Sequence, residues 1–152
     1  MSLERLAARV VVLDACDRIL LFEEQDPAEP DRPTWWITPG GALENQESFA
    51  EAAARELREE TGLCSDSLVG PIATNSFTMT YKGREVRQTE QFFAVRGEPA
   101  EVTFTAWTAF ERAVLLGGRW FGIEELASSG LVFYPPRLPE IAAGAVRLTA
   151  SI

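Results

Sequence analysis

PGGALENQESFAEAAARELREETGL, residues 39–63, is the stretch whose reading decides the fold. Gly40 and Gly41 open it and Gly62 closes it. Between them runs a series of good helix formers with no glycine or proline, and Thr61 is its one β-branched residue. Ser48 is a natural N-cap, and Glu51 three residues later completes a capping box. Gly62 suits the position past the helix C-terminus, where a left-handed backbone meets no Cβ penalty. The stretch therefore predicts a loop, a helix over residues 48–61 and a chain reversal.

On a helical wheel, Ala50, Ala53, Ala54 and Leu57 share one arc, the face expected to pack on the body. Glu51, Arg55 and Arg58 share a second arc, expected at solvent or neighbouring loops. Glu56, Glu59 and Glu60 form a third, since residues three and four apart are helix neighbours. Three like charges on one stripe repel, and no lysine is interspersed. A divalent cation such as Mg²⁺ would relieve this, because hard cations take carboxylate oxygens and keep waters for a phosphate.

Gly41, Glu47, Arg55, Glu56, Leu57, Glu59, Glu60, Gly62 and Leu63 resemble the Nudix box, G-x5-E-x7-R-E-U-x-E-E-x-G-U, where U is bulky and aliphatic. All nine specified positions over 23 residues match. The resemblance implies an α/β fold: a Nudix-like α/β/α sandwich with a mixed β-sheet and the box helix against it. It also implies metal-dependent hydrolysis of a diphosphate bond in a nucleoside diphosphate linked to another group. Mg²⁺ or Mn²⁺ would be held by Glu56, Glu59, Glu60 and the main-chain carbonyl of Gly40. Glu47 would be structural, gripping Arg55, with Gly41 and Gly62 shaping the frame. The family keeps its general base at no fixed place. Glu59 and Glu60 within the box are catalytic candidates, Glu111 is the first outside it, and Glu90 the second. The competing expectation is a Nudix-like module that binds nucleotide metabolites without cleaving them, which an intact box disfavours.

Composition narrows the chemistry. The chain has 152 residues, enough for one domain spanning 1–152. It has no histidine, which excludes imidazole as base, nucleophile or ligand. A formal charge of −9 argues against a nucleic-acid polymer as partner. It permits a small phosphate substrate, because bound metal inverts the local sign. The two cysteines, Cys16 and Cys64, form neither a disulfide framework nor a zinc motif. Both are expected buried, in a protein of the reducing cytosol. No apolar run has membrane-spanning length, the first residues do not read as a signal peptide, and a homodimer is compatible with the sequence.

The remaining chain predicts short strands and helices. Residues 7–14 and Ile19–Phe22 read as a hairpin, and Trp35–Ile37 as a short strand leading into the box. Residues 68–81 and 84–96 read as a second hairpin about Lys82-Gly83. Val102–Phe104 is a candidate strand, 109–114 a helical turn, Arg119–Phe121 a last strand, and 123–128 and 138–146 helices. Trp35 and Trp36 are expected to pack on alternate faces, with one of them, Trp36 the first choice, a candidate for stacking on a nucleobase. Arg84 is a candidate for a phosphate contact, and Tyr81 lies near a tyrosine of dinucleoside-polyphosphate members of the resembled family. Arg87 and Arg137 are further candidates for phosphate. The proline that marks many ADP-ribose hydrolases is absent where Met79 stands.

Overall fold

The computed structural model describes residues 3–64, 66–81, 83–104 and 106–150, without the side chains of residues 81, 110 and 113. Its strands are β1 (Leu3–Leu13), β2 (Ile19–Glu24), β3 (Trp35–Ile37), β4 (Gly40–Ala42), β5 (Val69–Tyr81), β6 (Arg84–Arg96) and β7 (Leu115–Phe121). Its helices are α1 (Phe49–Thr61), α2 (Ala109–Val114), α3 (Ile123–Ser128) and α4 (Leu138–Thr149). One seven-stranded sheet runs in the order β3-β2-β1-β6-β5, with β4 also on β1 and β7 also on β2. β1 lies parallel to β6 and every other pairing is antiparallel, so the sheet is mixed.

β1 shows why the sheet needs a layer on each side. Successive strand side chains point to opposite faces. Ala8, Val10 and Val12 pack with Ala52, Ala53 and Leu57 of α1. Val11 and Leu13 pack with Leu126 of α3 and Leu138, Ile141, Ala142 and Ala145 of α4. A strand apolar on both faces is thereby buried on both, giving the α/β/α sandwich expected of the resemblance.

The predicted helix caps are present. Ser48 and Glu51 form the capping box, and Gly62 adopts φ 74° beyond the last turn. The buried arc of α1 differs from the wheel reading. It comprises Ala52, Ala53, Glu56, Leu57, Glu60 and Thr61, while Ala50 is exposed and Ala54 half-buried. Two carboxylates therefore take places that periodicity assigns to alanine.

Other expectations fail for local reasons. Val102–Phe104 forms no strand. Thr103 N–H instead donates to the Thr61 carbonyl at 2.8 Å, capping the end of α1, and Phe104 packs edge-on against Phe22. Gly40–Ala42, read as loop, is a strand paired with Ala7–Arg9. Both cysteines are exposed rather than buried, Cys16 in the β1–β2 turn and Cys64 just past the α1 cap.

The feature that makes room for a site is a parting of strands. The β1–β2 ladder is confined to Leu13 and Ile19, and β4 takes over the vacated edge of β1. β2 and β3 diverge from β1, and a cleft opens between them.

Candidate active site

α1 presents Glu56 and Glu60 one turn apart, and α2 presents Glu111 as the third residue of its first turn. One oxygen from each of these three carboxylates lies within 4.8 Å of the other two. Glu56 and Glu60 are 8% and 3% exposed. The loop before α2 brings Glu111 there: Trp107 Nε1–H donates to the Glu60 carbonyl at 2.9 Å, and Thr108 starts the helix with its own capping box. That box uses Glu111 Oε1, which accepts from Thr108 N–H at 2.9 Å.

Burial, a hydrogen bond with Glu56 and the Glu56 charge hold the Glu60 carboxyl well above the usual carboxylate range. Gly40 N–H offers one compensating donor, 3.2 Å from Glu60 Oε1. A Cβ added at Gly41 would stand 2.6 Å from Glu56 Oε1, so any larger residue there displaces that carboxylate.

Arg55 binds the cluster together. Its Nε and Nη2 donate to the two Glu47 oxygens at 2.7 and 2.9 Å, a bidentate pair. Nη1 donates to Glu56 at 2.9 Å and to Glu59 at 3.3 Å, and Nη2 also reaches the Ala42 carbonyl at 3.1 Å. The Arg55 bonds and a Glu44 N–H pull the Glu47 carboxyl down to about 2. The wheel assigned Arg55 to another arc, yet its long side chain sweeps back over the carboxylates. Glu59 is 41% exposed at the side chain, and burial and then the Glu56 charge raise its pKa.

Beside the carboxylates lies the cleft, with a volume of about 550 Å³. Trp35, Phe77, Phe92, Tyr134 and Pro135 supply apolar wall, and Arg9, Glu24, Asn75 and Glu90 supply polar groups. Arg9 Nε donates to Glu90 at 3.0 Å and Nη1 to the Thr38 carbonyl at 3.1 Å. Burial works against the Arg9 charge, but Glu90, Glu60 and Glu24 more than restore it and its pKa is raised. Arg9 thus lies within electrostatic reach of both the carboxylate cluster and the cleft.

Gly40, Gly41, Glu47, Arg55, Glu56, Glu59, Glu60 and Glu111 converge, and Gly62 ends the helix that carries four of them. Trp36 does not line the cleft. It packs edge-on against Phe121 at 5.0 Å in the α3–α4 side of the core, because strand alternation turns it opposite to Trp35. Arg84 sits exposed beside the β5–β6 turn, away from the cleft lining, and the Tyr81 side chain lies outside the described residues. Arg87 is exposed, and Arg137 donates to the Thr74 carbonyl. Glu90 is engaged by Arg9 and by Gln88 Nε2 at 3.1 Å. Sequence reasoning missed Arg9 and Glu24, and of the two tryptophans it carried forward Trp36 where Trp35 lines the cleft. The available signal for Arg9 was a single charge inside the otherwise apolar run of residues 7–13.

A mixed sheet between two helical layers, with buried carboxylates offered by a glycine-flanked helix, defines a class of phosphate-handling domain. The chain belongs to the NUDIX domain family, whose model matches residues 3–141. Over 71 residues it is 35% identical to an uncharacterized Nudix hydrolase of Bacillus subtilis, covering 47% of this chain and 39% of that protein. Over 134 residues it is 25% identical to an RNA pyrophosphohydrolase of Wolbachia, covering 78% and 80% of the two chains. The E. coli dihydroneopterin triphosphate pyrophosphohydrolase superposes with a TM-score of 0.67 at 19% identity, over 100% of both chains. A C. elegans Ap4A hydrolase gives 0.63 at 16% identity, over 97% and 99%. No helix among the described residues is long and apolar enough to cross a membrane.

Proposed function

We propose that this chain hydrolyses a diphosphate bond in a nucleotide with the help of Mg²⁺ or Mn²⁺. The observation that carries this reading is the meeting of Glu56, Glu60 and Glu111 within 4.8 Å, from two helices, two of them buried. The donors are all oxygen, as a hard cation requires, and Gly41 leaves space where a side chain would intrude. The residues therefore fit a divalent cation, with the Gly40 carbonyl as a further donor. When bound, the cation supplies charge to neutralise the phosphate oxygens and lowers the pKa of a bound water.

The chain's own groups do the rest. Glu59, at the more open edge of the cluster, takes the proton from the attacking water, and burial and the Glu56 charge make it a stronger base than an ordinary carboxylate. Glu111, first read as a base, joins Glu56 and Glu60 in holding the cation. Glu47 and Arg55 fix the box loop against the helix. The cleft holds the nucleoside, with Trp35 as a stacking wall. The names of relatives support the reading: they include an RNA pyrophosphohydrolase, an Ap4A hydrolase and a dihydroneopterin triphosphate pyrophosphohydrolase. Two exposed, unpaired thiols accord with a reducing cytosol.

The test is a panel of nucleoside triphosphates, dinucleoside polyphosphates and nucleotide sugars with Mg²⁺, the products separated. At least one should be cleaved, with activity abolished by chelator and cut at least hundredfold in Glu60→Gln. Cleavage undiminished in excess chelator overturns the proposal.

A further inference from the structure

Most polar groups lining the cleft have their partners. Arg5 donates to Gln88, Gln88 to Glu90, and Arg9 to Glu90 and Thr38. Glu24 feels the Arg9 charge but, among the described residues, takes no hydrogen bond from this network. Among the described residues its carboxylate accepts one hydrogen bond, from Trp35 Nε1–H to Oε1 at 3.2 Å. That leaves Oε2 and a second lone pair on Oε1 able to accept. The group is at the end of β2, where the register of the β2–β7 pairing shifts between Glu23 and Glu24. Its partner across the β2–β3 ladder is Trp35, so an indole wall and a carboxylate adjoin in one cleft.

A phosphate chain would be repelled by Glu24, so the ligand part it meets must carry donors. A ring stacked on Trp35 turns its edge toward the neighbouring carboxylate. Two oxygens fit two adjacent donors. Adenine and cytosine place a lone pair beside their amino group, which would face one oxygen repulsively. Uracil and hypoxanthine offer a single N–H. Guanine alone among the common bases presents an N–H and an NH₂ side by side.

We propose that Glu24 is a specificity-determining residue that selects a 2-amino-4-oxopyrimidine ring, the edge found in guanine and in pterins. The proposal deepens the nucleotide reading of the cleft and rests on it. Losing one donor to a carboxylate costs roughly ten- to hundredfold in discrimination.

The test compares kcat/KM of the parent protein for GTP, dGTP, ITP, ATP and dihydroneopterin triphosphate with Mg²⁺. GTP and dGTP should exceed ITP and ATP by at least tenfold, and Glu24→Gln should collapse the GTP-to-ITP ratio toward one. The pterin arm decides which bearer of the edge is preferred, and either result supports the contact. Equal rates for GTP, ITP and ATP overturn it while leaving hydrolysis intact. A preference for GTP over dGTP with none over ITP overturns it too, since the contact is then to the sugar. Calorimetric titration with GDP, IDP and ADP reads the same selectivity without turnover. If no member of the wider panel is cleaved yet GDP binds at least tenfold tighter than IDP, the catalytic reading fails and the role of Glu24 stands. Equal binding of all three overturns it.

Discussion

Gly41→Ala isolates the space the cluster needs from the fold around it. The new Cβ would lie 2.6 Å from Glu56 Oε1 and 3.0 Å from its carboxyl carbon. Relaxing the closer contact to about 3.5 Å moves the oxygen by roughly 0.9 Å, the difference between 3.5 and 2.6. Ligand distances in metal sites tolerate about 0.2 Å. A displacement near 1 Å costs about 10²-fold in rate, or roughly 2.7 kcal/mol. The carboxylate has nowhere easy to go, since Arg55 Nη1 holds the same oxygen at 2.9 Å. Gly41 does not need a left-handed backbone, so alanine keeps the strand and Tm should stay within a few degrees of the parent. Gly40→Ala should behave differently. Its φ is +151° and its Cβ would meet the Ala8 carbonyl oxygen at 2.2 Å, so the β1–β4 pairing must move and stability falls. The assay is kcat/KM on the best substrate, with Tm for both variants. Parent-like kcat/KM in Gly41→Ala would refute the reasoning, as would unfolding comparable to that of Gly40→Ala.

Further predictions follow from the same geometry. Glu47→Gln and Arg55→Gln should each lower Tm and weaken metal binding, and the double variant should lose less than the sum; strict additivity in the cycle means the pair is not coupled. Because the Glu60 carboxyl is raised when folded, the metal-free unfolded chain releases that proton first. Metal-free stability should fall as pH rises from the ordinary carboxylate range toward the Glu60 value, and Glu60→Gln should flatten this slope in denaturant titrations across pH; an unchanged slope refutes it. Mg²⁺ at a hundred times its Kd should stabilise the protein by about 2.7 kcal/mol, roughly 5–11 °C in Tm, and an unshifted melt counts against the site.

Legibility in the sequence tracked how local the determining forces were. The α1 caps were readable because Ser48, Glu51 and Gly62 act within one turn of the chain. The 68–81 and 84–96 pairing was readable as a hairpin, though Lys82 of its turn lies outside the described residues, whereas the 7–14 and 19–22 segments are paired only at Leu13 and Ile19. The buried position of Glu56 and Glu60 was not readable, because periodicity assumes that charge faces water, and the partners that ease burial, Arg55 for Glu56 and the Gly40 N–H for Glu60, are set by the fold. β4 itself was hidden, since three small residues gain strand geometry from β1 alone. Trp35 and Trp36 are adjacent, and which one faces the cleft depends on sheet register fixed across β2. Arg9 and Glu24 are far from the box in sequence and acquire meaning only where β1 and β2 part.

The hydrogen bond from Trp107 to the Glu60 carbonyl has a consequence for transplantation and fragmentation. It joins the box helix to a segment 47 positions later, and Thr103 is fastened to Thr61 beside it. The Nudix box is thus a half-socket. A chimera carrying only residues 39–63 on a foreign sheet would inherit the caps and the Arg55 brace yet lack the third carboxylate. With the cation bound as proposed, metal affinity would report on the docking of the chain's second half, and a cut between residues 63 and 103 should register there before it registers in the helix.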